Sequence, residues 1–228
     1  MISNTVENHA VHQKIGWPEV GVAALAGAVL YGVGILIIVT LPHGRPILAG
    51  LVQYAVSGLA PFGAFIAAVL LRIRDVRPFG LRSVAPRWLL VAVGAGVVVI
   101  GLNLAVTILL SGVTNQTVQS DYRSAATGGV ASMLGALALG ALLTPVGEEL
   151  LFRGVLANML SRYGPWVAVI GSAAVFAVAH GINYIMPVAF IVGIANALLL
   201  RRSGAIWPCL IVHAMNNANS VILPAVLS

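Results

Sequence analysis

The stretch LGALALGALLTPVGEELLFRGVLANML, residues 134–160, sets two adjacent glutamates and an arginine inside an otherwise apolar run. A helix needs about 20 apolar residues to cross a hydrocarbon core of about 30 Å. This run is long enough, so Glu148, Glu149 and Arg153 lie in or against lipid. Working outward, apolar runs of similar length recur along almost the whole chain. Of 228 residues, 60% are hydrophobic and only 8% charged, where a soluble domain carries roughly a quarter charged residues. The mean hydropathy is +1.02. The fold expected is all-α: a polytopic transmembrane helical bundle of about seven spanning helices.

The spans are expected at 20–41, 47–71, 88–110, 130–161, 165–180, 184–200 and 206–223. Pro61 is expected to break the second. The fourth is too long for one perpendicular crossing, so it tilts, leaves the membrane, or kinks at Pro145. The linker between spans three and four is the longest polar stretch and belongs outside the hydrocarbon. Residues 1–125 read as a three-span scaffold and 126–228 as the four spans that carry chemistry, within one membrane domain. No internal repeat is evident, which disfavours an inverted-repeat transporter.

The net charge of +6 does not form a nucleic-acid face. With seven spans, Lys14, Arg72, Arg74, Arg77, Arg82, Arg87, Arg162, Arg201 and Arg202 share one side, against Arg45 and Arg123 on the other. By the positive-inside rule the N-terminus is cytoplasmic, in a multi-pass protein of the cell membrane. The polar, partly acidic start lacks the basic region of a signal peptide, so no cleavage is expected. Cys209 cannot form an internal disulfide and reads as a small hydrophobe.

Strongly polar side chains inside the spans are few: Asn103, Glu148, Glu149, Arg153, His180, Asn196, His213, Asn216 and Asn217. An ionisable group at membrane depth costs at least about 2.5 kcal/mol on insertion scales and faces a bundle interior or aqueous cavity. Glu149 and Arg153 are four apart and pair on one helix face, while Glu148 points about 100° away. Phe176 with His180, and His213 with Asn217, repeat the four-residue spacing. Singly, each has a bland reading: a packing histidine, an interfacial carboxylate pair. Asn103 and Asn196 read as interhelical hydrogen-bond glue, and Phe190, Gly193 and Ala197 as a small-residue helix contact. Jointly, a carboxylate, two histidines and an asparagine on neighbouring helices suit hydrolysis of an amide by activated water. A carboxylate acts as general base, and a histidine with an amide one turn away supplies donors to an oxyanion. The same glutamate and two histidines (Glu148, His180, His213) could instead hold Zn²⁺, so the cofactor is either none or Zn²⁺. No H-E-x-x-H and no G-x-S-x-G is present.

Glu148-Glu149-x-x-x-Arg153, Phe176-x-x-x-His180 and His213-x-x-x-Asn217, the last in the context SGAIWPCLIVHAMNN, resemble the motifs of the CAAX-processing and bacteriocin-processing (CPBP) intramembrane protease family. The resemblance covers residues 134–220. It implies a multi-pass helical fold with its site in a cavity within the membrane. The implied activity is that of an endopeptidase, acting near the C-terminus of prenylated proteins or on small peptides. Carried over by position, Glu148 is the general base, His180 helps activate the water, His213 and Asn217 stabilise the oxyanion, and Glu149 and Arg153 structure the site. The family has been described both as metalloprotease and as metal-free glutamate hydrolase. Its expected partners are a peptide or protein substrate, lipidated in some members, and membrane lipid. The Ala/Gly/Val-rich, Arg-over-Lys composition points to a prokaryotic member. The competing functions are a non-catalytic regulator or immunity protein of the same fold, and a proton-coupled transporter.

Overall fold

The computed structural model describes residues 14–110 and 119–227. Among them it is all-helical: α1 (Trp17–Thr40), α2 (Pro46–Leu71), α3 (Pro86–Leu110), α4 (Ser120–Thr127), α5 (Val130–Tyr163), α6 (Val167–Ala179), α7 (Ile185–Ser203) and α8 (Trp207–Val226). Six of these are long and apolar enough to cross a membrane. The chain is a multi-pass membrane protein. Apolar side chains such as Leu36 and Val39 on α1, or Leu90 and Val97 on α3, are exposed. That is the pattern of a bundle whose outside is lipid, where close packing rather than apolar burial holds helices together.

The fifth expected span, 165–180, is α6, close to its expected bounds. At 1.5 Å per residue α6 reaches about 20 Å, too little for the hydrocarbon core, so it ends inside the bundle. His180 caps it, and the chain turns away through Gly181 in the left-handed conformation (φ +83°). Counted from their ends at Tyr163 and Pro165, Glu148 on α5 and His180 each lie about 22 Å in. The early stop therefore brings the histidine to the glutamate's depth.

Two prolines expected to interrupt helices do so less than their chemistry suggests. The second helix runs unbroken through Pro61. In α5 the backbone widens to π-helix at Leu137–Leu143, immediately before Pro145. There the Thr144 N–H reaches Leu139 O, and its hydroxyl donates to Leu139 O at 3.0 Å and Tyr54 O at 3.1 Å. Local π adjustment and a threonine hydroxyl re-satisfy the backbone groups that a membrane proline frees. A second π-helical stretch, Leu150–Ala157, carries Arg153. Such widenings cluster at functional sites.

On the arginine-rich side the bundle is pinned, and an apolar cluster packs beside a cavity of about 340 Å³ lined by Arg77, Arg82, Asn158 and Arg201. Glu19, fully buried in the first turn of α1, accepts from the Gly16 N–H at 2.7 Å and from Arg72 Nε and Nη2 at 2.6 and 2.9 Å. The start of α1 is thus tied to the end of α2. A 3-10 turn at Arg77–Phe79 pushes Phe79 edge-on against Phe65, with ring centroids 5.4 Å apart, and Met159 and Ile206 complete the plug. Closer to the site, Gly147 of α5 lies so near the Gly58 carbonyl of α2 that a Cβ there would collide with it. Gly193 packs on Ala173, joining α7 to α6 as its small-residue spacing indicated.

On the opposite side α4 docks on α2. Gln53 Nε2 donates to Asp121 Oδ2 at 2.9 Å, and the Tyr54 and Tyr122 rings lie 4.5 Å apart. The expected polar linker is therefore helical over 120–127, and its first part, 111–118, lies outside the described residues.

Candidate active site

The six residues singled out by spacing come together, in two groups. Glu148, His180, His213 and Asn217 line one cavity of about 630 Å³, which α1, α2, α4, α5, α6, α7 and α8 all border. Glu149 and Arg153 lie behind this wall, both fully buried.

The hidden group forms a frame. Arg153 Nε lies 3.2 Å from Glu149 Oε2, one helical turn away. Glu149 Oε1 accepts from Asn196 Nδ2 at 2.9 Å and from His213 Nδ1 at 2.7 Å. Arg153 rests its guanidinium over the Phe176 ring, 4.4 Å from the centroid, a cation–π contact worth about 2 kcal/mol when desolvated. Phe176 is a hub: His180 and His213 meet it edge-on at 4.6 and 5.6 Å, and Phe152 at 5.0 Å. Motif residues of three helices thus close around one aromatic ring. Among the described residues, Arg153 Nη1 and Nη2 have no hydrogen-bond partner, so the ion pair and the ring carry its neutralisation.

On the wall, hydrogen bonds assign protons. His180 Nδ1 lies 2.8 Å from Phe176 O. A carbonyl only accepts, so Nδ1 carries the hydrogen and Nε2 offers a lone pair. His213 Nδ1 likewise donates to Glu149, and its Nε2 stands 3.5 Å from Glu148 Oε2. That distance is long for a direct N–H···O bond and suits a bridging water. Glu148 Oε2 is buried with no protein hydrogen-bond partner among the described residues. Asn217 spends one amide hydrogen on Gly140 O at 2.9 Å, within the π-helical stretch of α5, which leaves it a second.

Among the described residues, no three His, Cys, Asp or Glu side chains are placed to hold a metal ion. The Glu148, His180 and His213 set does not fit Zn²⁺ in this arrangement, and no chemical step is routed through a metal here.

Two features of the site escaped sequence reading. Asn196, read as interhelical glue, is glue of a particular kind, since it bonds the frame carboxylate itself. Asn103 is plain glue, donating to Asn216 Oδ1 at 2.7 Å. The tyrosines of the cavity wall, Tyr31, Tyr54 and Tyr122, were also missed. A tyrosine amid the aliphatic residues of α1 was the available signal.

No curated protein and no solved structure matches the chain. Residues 130–219, the part of the chain that holds all six of these side chains, match the protease family model Rce1-like, described as Type II CAAX prenyl endopeptidase Rce1-like, in agreement with the motif resemblance.

Proposed function

We propose that the protein is an intramembrane endopeptidase of the cell membrane that hydrolyses a peptide bond with water activated by Glu148. The observation that carries this reading is the contrast at α5: a Glu148 oxygen on the cavity wall with no protein hydrogen bond, beside a Glu149 that lies off the cavity, bonded by Asn196 and His213 and ion-paired with Arg153. Burying an unmet acceptor costs about 1–3 kcal/mol, more when it is charged. A fold that keeps such a group has a use for it.

In the proposed reaction, Glu148 takes a proton from water while the His180 Nε2 lone pair accepts the water's other hydrogen. The oxygen attacks the carbonyl carbon of the scissile bond. The oxyanion that forms accepts a hydrogen bond from Asn217 Nδ2 and is stabilised by His213, whose ring Glu149 holds at Nδ1. The C–N bond then breaks as Glu148 returns its proton to the departing amine, giving a free carboxyl and a free amine. Glu149, Arg153 and Asn196 touch no reacting atom. They fix the ring of His213, so their role is positioning.

Orientation belongs to the same proposal. Nine basic residues at the Lys14–Arg202 side against two opposite favour a cytoplasmic N-terminus by the positive-inside rule. The test is cleavage of a peptide library in detergent by the wild type, Glu148→Ala and His180→Ala, each with and without a strong chelator. Activity lost in both variants and retained under chelation supports the assignment. Equal cleavage by all three proteins sinks it.

A further inference from the structure

The cavity of about 340 Å³ at the arginine-rich end is separate from the one that holds Glu148, and no residue lines both. Four stretches of chain border it: the 77–82 loop, the last turns of α5, the first turns of α6, and the end of α7 with its turn at Gly204. Arg77, Arg82 and Arg201 line it and are exposed, and Asn158 adds an amide. Val169 and Leu200, both buried, make its apolar floor.

The arginines are held in place without being neutralised. Arg82 Nε donates to Gly204 O, and its Nη2 occupies the space that a side chain at position 204 would fill. Gly204 ends α7 in the left-handed conformation (φ +69°), which glycine adopts at least cost. Trp207 Nε1 donates to Arg82 O at 2.9 Å and fixes the loop from the other side. Arg201 lies over the Trp166 ring, 5.6 Å from its centroid. Among the described residues, none of the three guanidinium groups pairs with a carboxylate. The nearby acids are engaged elsewhere: Glu19 with Arg72, and Asp75 Oδ1 with the Arg77 backbone N–H at 3.0 Å. A guanidinium is a planar fork of donors that takes the oxygens of a carboxylate or phosphate in pairs. A carboxylate has too few oxygens to serve three forks, and a phosphate has enough.

The depth of the cavity says what carries the phosphate. All four tryptophans of the chain, Trp17, Trp88, Trp166 and Trp207, stand at this end, at the starts of α1, α3, α6 and α8. Trp17, Trp166 and Trp207 are exposed, and Trp17 Nε1 donates to the Tyr163 hydroxyl at 2.8 Å. Belts of tryptophan and tyrosine sit at the level of lipid headgroups. Along α6 from the cavity, Val167 and Ile170 continue the exposed apolar surface on which acyl chains would lie.

We propose that this cavity is a phosphate-binding site occupied by the headgroup of an anionic phospholipid, held by Arg77, Arg82 and Arg201 with Asn158 beside them. Basic pockets between transmembrane helices at headgroup depth suit such lipids. Both leaflets have a headgroup layer, so the site holds whichever face is cytoplasmic and whatever reaction Glu148 performs.

Native mass spectrometry of the full chain, released from detergent micelles with added lipid, counts bound headgroups. Phosphatidylglycerol is the anionic probe, and phosphatidylcholine keeps the phosphate without the net charge. The wild type is expected to retain one phosphatidylglycerol in preference to phosphatidylcholine. Arg77→Gln with Arg201→Gln should weaken that binding about thirtyfold, the loss expected for two arginines at an anionic headgroup. Arg74→Gln with Arg87→Gln removes the same charge from the same face outside the cavity, and should weaken it by less than about threefold because of screening. Ala168→Phe fills the cavity with every arginine in place and should abolish the preference. Circular dichroism in detergent alone reports folding, and the arginine pair or Ala168→Phe decides the matter alone where the other fails to fold. Equal losses in the two arginine pairs, undiminished binding by Ala168→Phe, or no preference between the two lipids overturns the proposal. Displacement of the lipid by inorganic phosphate at matched concentration overturns it too, because the ligand is then a soluble phosphate.

Discussion

On one side of α5 the Glu149 carboxylate receives Asn196, His213 and Arg153, and its arginine is covered in turn by the Phe176 ring. On the other side, one residue earlier, Glu148 has His213 Nε2 at 3.5 Å and otherwise faces the cavity. The two residues share chemistry and differ by about 100° of helix rotation. The difference teaches what each charge is for. A buried ion pair seldom adds net stability, because desolvation consumes the Coulombic gain. The Glu149–Arg153 pair is therefore better understood through what it holds, the ring of His213. Glu148 is left short of partners on the face where a reacting molecule can supply them.

The sharpest way to break this comparison is to neutralise each glutamate in turn. Glu148→Gln should lower peptide cleavage by about 10²–10⁴-fold, the usual contribution of a general acid–base group, with unfolding in mixed micelles little changed. If Glu148→Gln unfolds the protein while Glu149→Gln leaves it intact, the two roles have been assigned the wrong way round. Next in size is Arg153→Met, which leaves Glu149 uncompensated and should destabilise by about 3–5 kcal/mol. Adding Glu149→Gln to Arg153→Met should recover part of that loss, since the uncompensated Glu149 charge is then removed. A double variant no more stable than Arg153→Met would show that the cation–π contact with Phe176, rather than the ion pair, dominates.

These contrasts were legible in the sequence to different depths. The membrane class follows from hydropathy, because lipid leaves a chain no option but helices with internal hydrogen bonds. Glu149 and Arg153 were legible because an i,i+4 pair is local. The bounds of α6 were legible as well, 165–180 against Val167–Ala179, but the turn at Gly181 that ends it was not. The π-helical widening before Pro145 depends on Tyr54 O arriving from α2 to share the Thr144 hydroxyl, a tertiary fact. The same holds for Asn196. Its spacing along α7 is ordinary, and its role appears only when α7 packs where it meets Glu149.

Asn196 supplies a weaker test of the frame. Asn196→Leu removes one donor from a fully buried carboxylate that still keeps His213 and Arg153, so a loss of about 1–3 kcal/mol is expected. Cleavage should fall with it, because His213 loses part of its anchor. A shift in KM with kcat unchanged would mean that Asn196 shapes the cavity rather than holding the ring.

The smallest expected effect separates glue from frame. Asn103 of α3 donates to Asn216 of α8, one residue from Asn217 but outside the Glu149 cluster. Interhelical hydrogen bonds of this kind average about 0.6 kcal/mol in membrane proteins, because the alternative state also finds partners. Asn103→Leu should therefore cost about that much in unfolding free energy and leave kcat near wild type. Asn216 Nδ2 also lies 3.4 Å from Asn217 Oδ1, so the outcome bears on the oxyanion donor. If Asn103→Leu lowered kcat as far as Asn196→Leu does, Asn103 and Asn216 would belong with the positioning residues. The frame would then extend across α8 to hold Asn217 as Glu149 holds His213.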